Sequence, residues 1–205
     1  MQDTKSQVRT RIVAARAAAT PASRAAEAAA LTDHLRALTT SGTTVCAYVP
    51  VGSEPGSPDT LDDLVRRGVD VLLPVARKGP GGTPLPLRWG RYRPGHLVGA
   101  ALGLREPPPP HLPPQAVRSA ALVLVPALAV DRRGTRLGRG AGFYDRTLHL
   151  ADPAAPLVAV VRDDEILVEL PAEGHDVAMT HALTPMAGLV ALGRECAGPA
   201  GGSGT

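Results

Sequence analysis

The sequence lacks several features that define common protein classes. Its 205 residues include only two cysteines, Cys46 and Cys196, which form no CxxC pair. A disulfide scaffold and a cysteine-based zinc site are therefore excluded. No apolar run approaches the roughly 18 residues that a membrane span needs. Because the segment MQDTKSQVRTR is charged and contains no apolar stretch, we expect no secretory signal and a cytoplasmic location.

Aromatic and lysine residues are also scarce. There are five aromatic residues, and of the 22 basic residues only Lys5 and Lys78 are lysines. Single-stranded nucleic acids are bound by aromatic stacking and duplexes by a dense basic stripe, so we expect no nucleic-acid partner. The formal net charge of +3 instead favours an anionic small-molecule substrate.

The pattern of apolar, capping and breaking residues predicts one α/β domain over 1–193, with a disordered tail over 194–205. The predicted elements are helices over 3–19, from Thr20-Pro21, from Ser57 and over 143–150, and strands over 44–49, 69–75, 85–92, 121–125 and 157–161. A strand, a helix and a strand within about 30 residues indicate a βαβ unit. We therefore predict three layers, with a mostly parallel sheet and helices on both faces. Ligands bind beyond the carboxyl ends of such strands, which points to loops 50–57 and 126–142.

The stretch DRRGTRLGRGAGFYD, over 131–145, combines glycines with arginines. They include Arg136, Gly138, Arg139, Gly140 and Gly142. Glycine lets the backbone approach a ligand closely, and arginine binds phosphate or carboxylate through paired hydrogen bonds. The pattern is neither a GxGxxG fingerprint nor a P-loop. It predicts an anion-binding loop, and the alternative is a flexible loop in an arginine-biased sequence.

Three carboxylates are candidate ligand-binding groups. Asp145 ends the glycine-rich stretch, where it is either a Mg²⁺ ligand beside a phosphate or a partner of Arg146. Asp176, in LPAEGHD, is either a second metal ligand or part of a polar surface turn. Glu54 follows the first predicted strand, where it either accepts hydrogen bonds from a substrate amine or ring NH or is an exposed loop residue.

Lys5, Trp89 and Tyr144 complete the candidates drawn from the residues alone. Lys5 lies in an arginine-rich helix and is either a point charge for a phosphate or a solvated surface charge. Trp89 and Tyr144 either stack on a flat heterocycle or pack in the core. No HExxH, GxSxG or Cys–His arrangement is present, so we expect no zinc site and no protein nucleophile.

Several segments together resemble the 5-formyltetrahydrofolate cyclo-ligase family, also called 5,10-methenyltetrahydrofolate synthetases. The longest is VPALAVDRRGTRLGRGAGFYDR, over 125–146. The segments KSQVR, YVPVGSE, VLLPV, REP and LPAEGHD follow the family's order, over residues 3–185. The resemblance implies the NagB/RpiA/CoA transferase-like fold, which agrees with the α/β prediction.

The resemblance also implies a reaction that uses ATP as co-substrate and Mg²⁺ as cofactor. In it, 5-formyltetrahydrofolate becomes 5,10-methenyltetrahydrofolate, with release of ADP and phosphate. The formyl oxygen takes the γ-phosphoryl group, the neighbouring anilino nitrogen attacks the activated carbon, and phosphate leaves. Such chemistry depends on charge neutralisation and alignment, which agrees with the missing nucleophile motif.

Matched residue by residue, the resemblance implies a complete set of site residues. For ATP these are Lys5, Arg9, Arg136, Gly138, Arg139, Gly140, Ala141, Gly142, Phe143 and Tyr144. For the folate they are Glu54, Trp89, Arg139 and Tyr144; for Mg²⁺, Asp145 and Asp176; and for catalysis, Arg139 and Tyr144. The chain departs from the family at Phe143, usually a tyrosine, at Ala141, a lysine or glycine in some members, and in the longer step PGSPDT after Glu54.

Two other interpretations stay open. One is a non-catalytic folate- or nucleotide-binding protein on the same fold, which the presence of all four residues Glu54, Arg139, Asp145 and Asp176 argues against. The other is an unrelated phosphate-binding α/β enzyme, such as a sugar-phosphate isomerase, which requires a catalytic acid/base pair and no ATP. We expect a monomer that binds small molecules and no membrane.

Overall fold

The computed structural model describes residues 4–171 and 176–193, and the predicted tail over 194–205 lies outside these ranges. The α-helices are α1 (Lys5–Ala18), α2 (Pro21–Leu38) and α3 (Pro58–Arg66). The strands are β1 (Thr44–Cys46), β2 (Asp70–Val75), β3 (Arg88–Arg91), β4 (Val98–Gly99), β5 (Arg105–Glu106), β6 (Leu122–Pro126), β7 (Ala129–Asp131), β8 (Arg136–Leu137), β9 (Leu157–Val160), β10 (Ile166–Leu167), β11 (His181–Thr184) and β12 (Gly188–Ala191).

Each α-helix begins at a side chain that accepts a hydrogen bond from the first turn. Thr4 caps α1, Thr20 caps α2 and Ser57 caps α3. A proline occupies the first turn of α2 and of α3, where the missing N–H has no helical partner to lose. The predicted starts at Thr20-Pro21 and Ser57 are confirmed. Of the helices in the described ranges, none combines the length and the hydropathy needed to cross a membrane.

Seven strands form the central sheet, in the order β12-β11-β9-β6-β1-β2-β3. The five inner strands pair in parallel, and β3 and β12 add antiparallel edges. Because α3 connects β1 to its parallel neighbour β2, the predicted βαβ unit and mostly parallel sheet are confirmed. The carboxyl ends of the inner strands consequently meet at one edge of the sheet.

The central sheet is covered on both faces, which confirms the predicted three-layer α/β fold. One face packs against α2 and α3 through buried apolar residues, which include Leu31, Leu35, Leu61, Leu64, Val71, Leu73, Leu124 and Val158. The other face packs against Val117 and Leu148. These two residues belong to short 3-10 helices over Pro114–Ser119 and Leu148–Leu150.

A second sheet, of order β10-β7-β8, lies beside the first and carries α1. Val8 and Ile12 of α1 pack against Leu128 and Leu137 in a separate small core. The predicted loop over 126–142 therefore contains the antiparallel pair β7–β8. This pairing fixes the position of the first residues of the glycine-rich stretch.

The predicted helix over 143–150 is wrong. Residues 143–147 form turns, and a 3-10 helix follows only at Leu148–Leu150. The Thr147 hydroxyl donates to the carbonyl oxygen of Phe143 at 2.7 Å and accepts from Leu87 N at 2.8 Å. A side chain that bonds the backbone in this way competes with the helical hydrogen-bond pattern.

Gly134, between β7 and β8, requires glycine for two reasons. Its φ is +94°, and a Cβ built on it would collide with the carbonyl oxygen of Met179. We expect Gly134→Ala to lower the free energy of unfolding by about 2–4 kcal/mol, from left-handed strain and overpacking together. Urea unfolding measures this change.

Gly42→Ala is the matched control, because Gly42 has a φ of +82° and no atom lies within 4 Å of the position that a Cβ would take there. It should cost only about 1–2 kcal/mol, from backbone strain alone. Equal losses for the two variants would contradict the close packing of Gly134 against Met179.

Candidate active site

The carboxyl edge of the sheet gathers segments that are far apart in sequence. After β1, the chain enters the loop over 50–57; after β6, it enters the β7–β8 hairpin; after β9, it enters the 3-10 helix Asp163–Glu165. Tyr48 is buried after β1, and its hydroxyl donates to Pro55 O at 2.8 Å. This contact fixes the loop that carries Glu54.

Asp131 organises the start of the glycine-rich stretch. The side chain is only 1% exposed. Its Oδ1 accepts from Arg133 N at 3.0 Å and Thr135 N at 2.8 Å, and its Oδ2 accepts from Leu170 N at 2.9 Å. A buried carboxylate with three backbone donors is well satisfied, so it holds the turn to the segment that follows β10.

Arg136, Tyr144 and Asp145 form one group. Arg136 Nη2 donates to Asp145 Oδ1 at 2.6 Å, and the guanidinium carbon lies 5.7 Å from the centroid of the Tyr144 ring. Burial raises the pKa of the Tyr144 hydroxyl, which keeps it protonated. Two buried polar atoms of this group, Arg136 Nε and Tyr144 Oη, have no hydrogen-bond partner among the described residues. Such unsatisfied groups indicate a place where a ligand or water binds.

Glu54 and Arg139 form an ion pair across the site, with Arg139 Nε donating to Glu54 Oε1 at 3.0 Å. The Glu54 side chain is 12% exposed, whereas that of Arg139 is 58% exposed. Glu54 Oε2 also accepts from Val51 N at 3.0 Å, which orients the carboxylate. The acid is therefore held by its own loop, and its partner is an exposed surface arginine that a ligand can displace.

A cleft of about 480 Å³ lies beside Glu54, between the loop after β1 and α2. The charged residues of its lining are of both signs: Arg24, Glu27, Glu54, Asp59 and Arg162. The volume falls within the range of small-molecule sites.

Helix α1 brings two basic side chains to the same edge. Arg9 Nε donates to the carbonyl oxygen of Gly138 at 3.0 Å. Lys5 Nζ lies 3.5 Å from Asp176 Oδ2. The residues over 172–175, which complete the motif LPAEGHD, lie outside the described ranges. Arg9 thus contacts the glycine-rich stretch, and Lys5 pairs with Asp176.

The backbone over 138–144 lies open between these side chains. Gly140 and Gly142 have φ values of +88° and +74°, a conformation that glycine adopts without strain. Ala141 lies between the two glycines. Phe143 follows Gly142 and packs against the buried cluster that contains Val117 and Leu148. The stretch therefore offers backbone N–H groups where an anion can approach, which favours the ligand-binding interpretation over a featureless loop.

Trp89 does not share this environment. It is 1% exposed and lies in the buried cluster that contains Val117 and Leu148. Its ring N–H donates to Pro114 O at 3.2 Å. The alternative of core packing therefore describes Trp89, and the prediction that it lines a folate site is not supported by its geometry. Trp89 lies on β3 and shares a buried cluster with Val117 of the Pro114–Ser119 helix.

Comparison with known proteins identifies the group to which this arrangement belongs. A model of the 5-formyltetrahydrofolate cyclo-ligase family matches residues 1–185. The chain belongs to this family. It is 63% identical over 188 residues to the 5-formyltetrahydrofolate cyclo-ligase of Mycolicibacterium smegmatis, a match that covers 92% of this chain and 97% of the relative. The Escherichia coli K12 enzyme of the same name is 30% identical over 144 residues, which cover 69% and 78% of the two chains.

Two solved structures show that the fold is that of this cyclo-ligase family. The 5,10-methenyltetrahydrofolate synthetase of Aquifex aeolicus superposes with a TM-score of 0.71 at 22% identity, covering 93% of each chain. The synthetase of Mycoplasma pneumoniae superposes with a TM-score of 0.66 at 17% identity, covering 85% of this chain and 94% of its own.

The two carboxylates that the cyclo-ligase resemblance assigned to Mg²⁺ fit an ion that arrives with a nucleotide. Asp145 and Asp176 each lie beside a basic side chain, Arg136 and Lys5 respectively. Within the described ranges, no three His, Cys, Asp or Glu side chains are grouped as a metal cage. Mg²⁺ usually takes one or two carboxylates and fills its shell with phosphate oxygens and water, so this sparse donor set suits it.

Sequence reasoning missed two buried charged groups near the site of this cyclo-ligase family member. Asp131 was noted only as the first residue of the glycine-rich stretch. The pattern DRRGT was the available signal, because an aspartate that opens a turn often accepts hydrogen bonds from the backbone N–H groups of that turn. The other group is the buried ion pair of Arg16 and Glu165. The spacing of Arg16 from Lys5 and Arg9 along α1 was the available signal.

We expect Asp131→Asn to loosen the turn that carries the cyclo-ligase loop. The amide nitrogen cannot accept a hydrogen bond, so at least one of the three backbone donors loses its partner. The free energy of unfolding should fall by about 1–3 kcal/mol, as measured by urea denaturation. The control is Asp33→Asn, on an exposed aspartate of α2, which should leave the urea midpoint unchanged. An unchanged midpoint for Asp131→Asn would contradict the role given to this carboxylate.

Proposed function

We propose that this protein is a 5-formyltetrahydrofolate cyclo-ligase that uses ATP and Mg²⁺. It converts 5-formyltetrahydrofolate to 5,10-methenyltetrahydrofolate and releases ADP and phosphate. The observation that carries the proposal is the joint position, at one sheet edge, of the glycine-rich stretch, α1 and Glu54 in a chain of this family. The 63% identity to a protein of that name supports the same reaction.

The ATP phosphates bind, in this proposal, between α1 and the backbone over 138–144. Lys5 and Arg9 supply positive charge from the helix, and Arg136 supplies it from β8. Arg136 Nε is buried and has no partner among the described residues, so it has a hydrogen bond to give to a phosphate oxygen or to water. Backbone N–H groups of the open stretch add further donors.

The folate binds on the Glu54 side of the site. Glu54 accepts hydrogen bonds from ring N–H groups of the pterin, and the adjacent cleft of about 480 Å³ has room for a flat heterocycle. Arg139 leaves Glu54 as the substrate enters, because an exposed ion pair contributes little stability. Once released, Arg139 turns to the developing charge on the transferred phosphoryl group. The buried Tyr144 hydroxyl stays protonated and donates to the substrate.

Mg²⁺ neutralises phosphate charge when it is bound with ATP. Asp145 and Asp176 would hold it, since both carboxylates adjoin the residues assigned to the phosphates. Their present partners, Arg136 and Lys5, can turn from the carboxylates to the phosphates as the ion binds. The protein needs no nucleophile, because the substrate's formyl oxygen attacks phosphorus and its anilino nitrogen then closes the ring.

A direct assay tests the proposal against a non-catalytic binding protein. Purified protein is mixed with 5-formyltetrahydrofolate, ATP and Mg²⁺, and the near-ultraviolet absorbance of the methenyl product is followed. We expect the band to grow only with ATP present. Folate and ATP binding without any product would instead establish the non-catalytic alternative.

We expect Asp145→Asn to reduce turnover by about 100-fold at saturating ATP, because a ligand of the catalytic ion is lost. The fold should persist, since the side chain is 26% exposed and bonds a single arginine. The control is Asp152→Asn, on an exposed turn before β9 at the opposite edge of the sheet, which should retain full activity. Near-normal turnover for Asp145→Asn at saturating Mg²⁺ would exclude the metal role.

Lys5→Ala should raise the KM for ATP by about tenfold and leave the KM for the folate unchanged. The reason is the loss of one point charge from the phosphate side of the site. Arg118→Ala, which removes a positive charge near the amino end of β6, serves as the control for net charge. Initial rates at varied ATP decide the outcome, and an unchanged KM for ATP would refute the role of Lys5.

A further inference from the structure

Three basic side chains lie along one face of α1. Lys5, Arg9 and Arg16 are separated by four and seven residues, spacings that return to the same side of a helix. Each of them contacts a different part of the chain. Lys5 lies beside Asp176, and Arg9 donates to Gly138 O, so these two reach the proposed ATP site. Arg16 lies at the other end of the helix and is buried.

Arg16 joins α1 to two neighbouring strand ends. Its Nε and Nη2 donate to the two carboxylate oxygens of Glu165, at 2.7 and 2.6 Å. Its Nη2 also donates to Ala127 O at 2.8 Å. Glu165 follows β9, and Ala127 follows β6. Glu165 Oε2 in turn accepts from Arg162 N at 2.7 Å, so the carboxylate is itself held by the backbone.

Stability alone does not account for this ion pair. Arg16 is 1% and Glu165 4% exposed, so both charges have lost their water. Replacement of such a pair by apolar residues of similar volume often leaves a protein equally stable or more so. Arg16 Nη1 also lacks a hydrogen-bond partner among the described residues, which adds a further penalty. What a bidentate pair does supply is a fixed direction, because the planar guanidinium meets the carboxylate in one geometry.

We propose that Arg16 and Glu165 are positioning residues, which fix α1 against the ends of β6 and β9 and thereby set Lys5 and Arg9 on the phosphates of ATP. The inference rests on the proposed function, because it assigns the pair to the geometry of that ATP site. From Lys5 to Arg16 the helix rises about 16 Å, so a slight tilt at the anchor displaces the far end. Displacements of about 1 Å are enough to impair a reaction that depends on alignment.

The effect should be larger for ATP than for the folate. Glu54 is held by Val51 N and by the loop that Tyr48 fixes through Pro55. None of these contacts includes α1 or Glu165. The pair reaches the cleft beside Glu54 only through Arg162, whose N–H donates to Glu165. A shift of α1 therefore disturbs the phosphate side of the site directly and the Glu54 side only through Arg162.

The test is the double variant Arg16→Met/Glu165→Met, which removes both charges and keeps the approximate volume. We expect a folded protein with a lower Tm, because Ala127 O and Arg162 N lose their hydrogen-bond partners while the cost of burying two charges is removed. Its KM for ATP should rise at least about tenfold, and its KM for 5-formyltetrahydrofolate should rise by a clearly smaller factor. Arg16→Lys, which keeps the charge but loses the bidentate geometry, should fall between the parent and the double variant.

A second bidentate ion pair, partly exposed to solvent, provides the control. Arg36, in the last turn of α2, donates to both oxygens of Asp63 in α3 at 2.8 and 3.0 Å. Arg36→Met/Asp63→Leu removes a bidentate pair of the same geometry, in which the arginine side chain is 45% exposed. It should leave the KM for ATP unchanged, even if the Tm falls.

Two outcomes would overturn the inference. One is a folded double variant whose KM for ATP equals the parental value. The other, should the double variant fail to fold, is an Arg16→Lys variant with a parental KM for ATP. Calorimetric binding of ATP separates this inference from the proposed reaction. Parental protein that binds ATP but forms no product overturns the reaction alone, and the dissociation constant for ATP then replaces the KM in the same comparison.

Discussion

Parallel pairing of β11, β9, β6, β1 and β2 is the constraint on which the rest of the structure depends. It sends every one of these strands out of the sheet at the same edge, so residues separated by 85 positions become neighbours. Glu54 follows β1, whereas Arg139 lies in the stretch that follows β6 and its hairpin, yet their side chains meet. The buried apolar runs of β6 and β9 make this pairing stable, and they carry no chemistry themselves.

Charge at this edge is arranged in two classes of ion pair. The pairs Arg139–Glu54 and Arg136–Asp145 each have a partly exposed member and adjoin the open backbone of the glycine-rich stretch. A ligand can replace one partner of such a pair, because the remaining charge then meets a phosphate, a ring N–H or a cation. The pair Arg16–Glu165 is closed to solvent and bonded at both ends, so exchange would leave a charge buried without a partner. The two partly exposed pairs are therefore suited to ligand binding, and the buried pair Arg16–Glu165 is suited to positioning α1.

The sequence predicted most of this arrangement where local signals were strong. Caps and prolines marked the starts of α2 and α3, and the apolar run after Gly68 marked β2. The short strands β11 and β12 were missed because their pairing is with each other and with β9, which no local pattern reveals. Trp89 was matched to the folate through the resemblance, whereas an indole by itself suits both a core and a heterocycle, and its burial favours the core. The helix over 143–150 failed because Thr147 bonds the backbone around it.

The first helix has an unusual place in this fold, since it belongs to neither layer of the main sheet. It packs on the β7–β8 hairpin through a small core that includes Val8 and Ile12, and a core of that size defines the orientation of a helix only loosely. Hydrogen bonds and ion pairs, which have preferred directions, must therefore fix the orientation of α1. The contact of Arg9 with Gly138 ties the helix to the glycine-rich stretch, and Arg16 ties it to the strand ends. Because the same helix face carries the residues proposed for the phosphates, orientation of α1 and affinity for ATP are two consequences of one set of contacts.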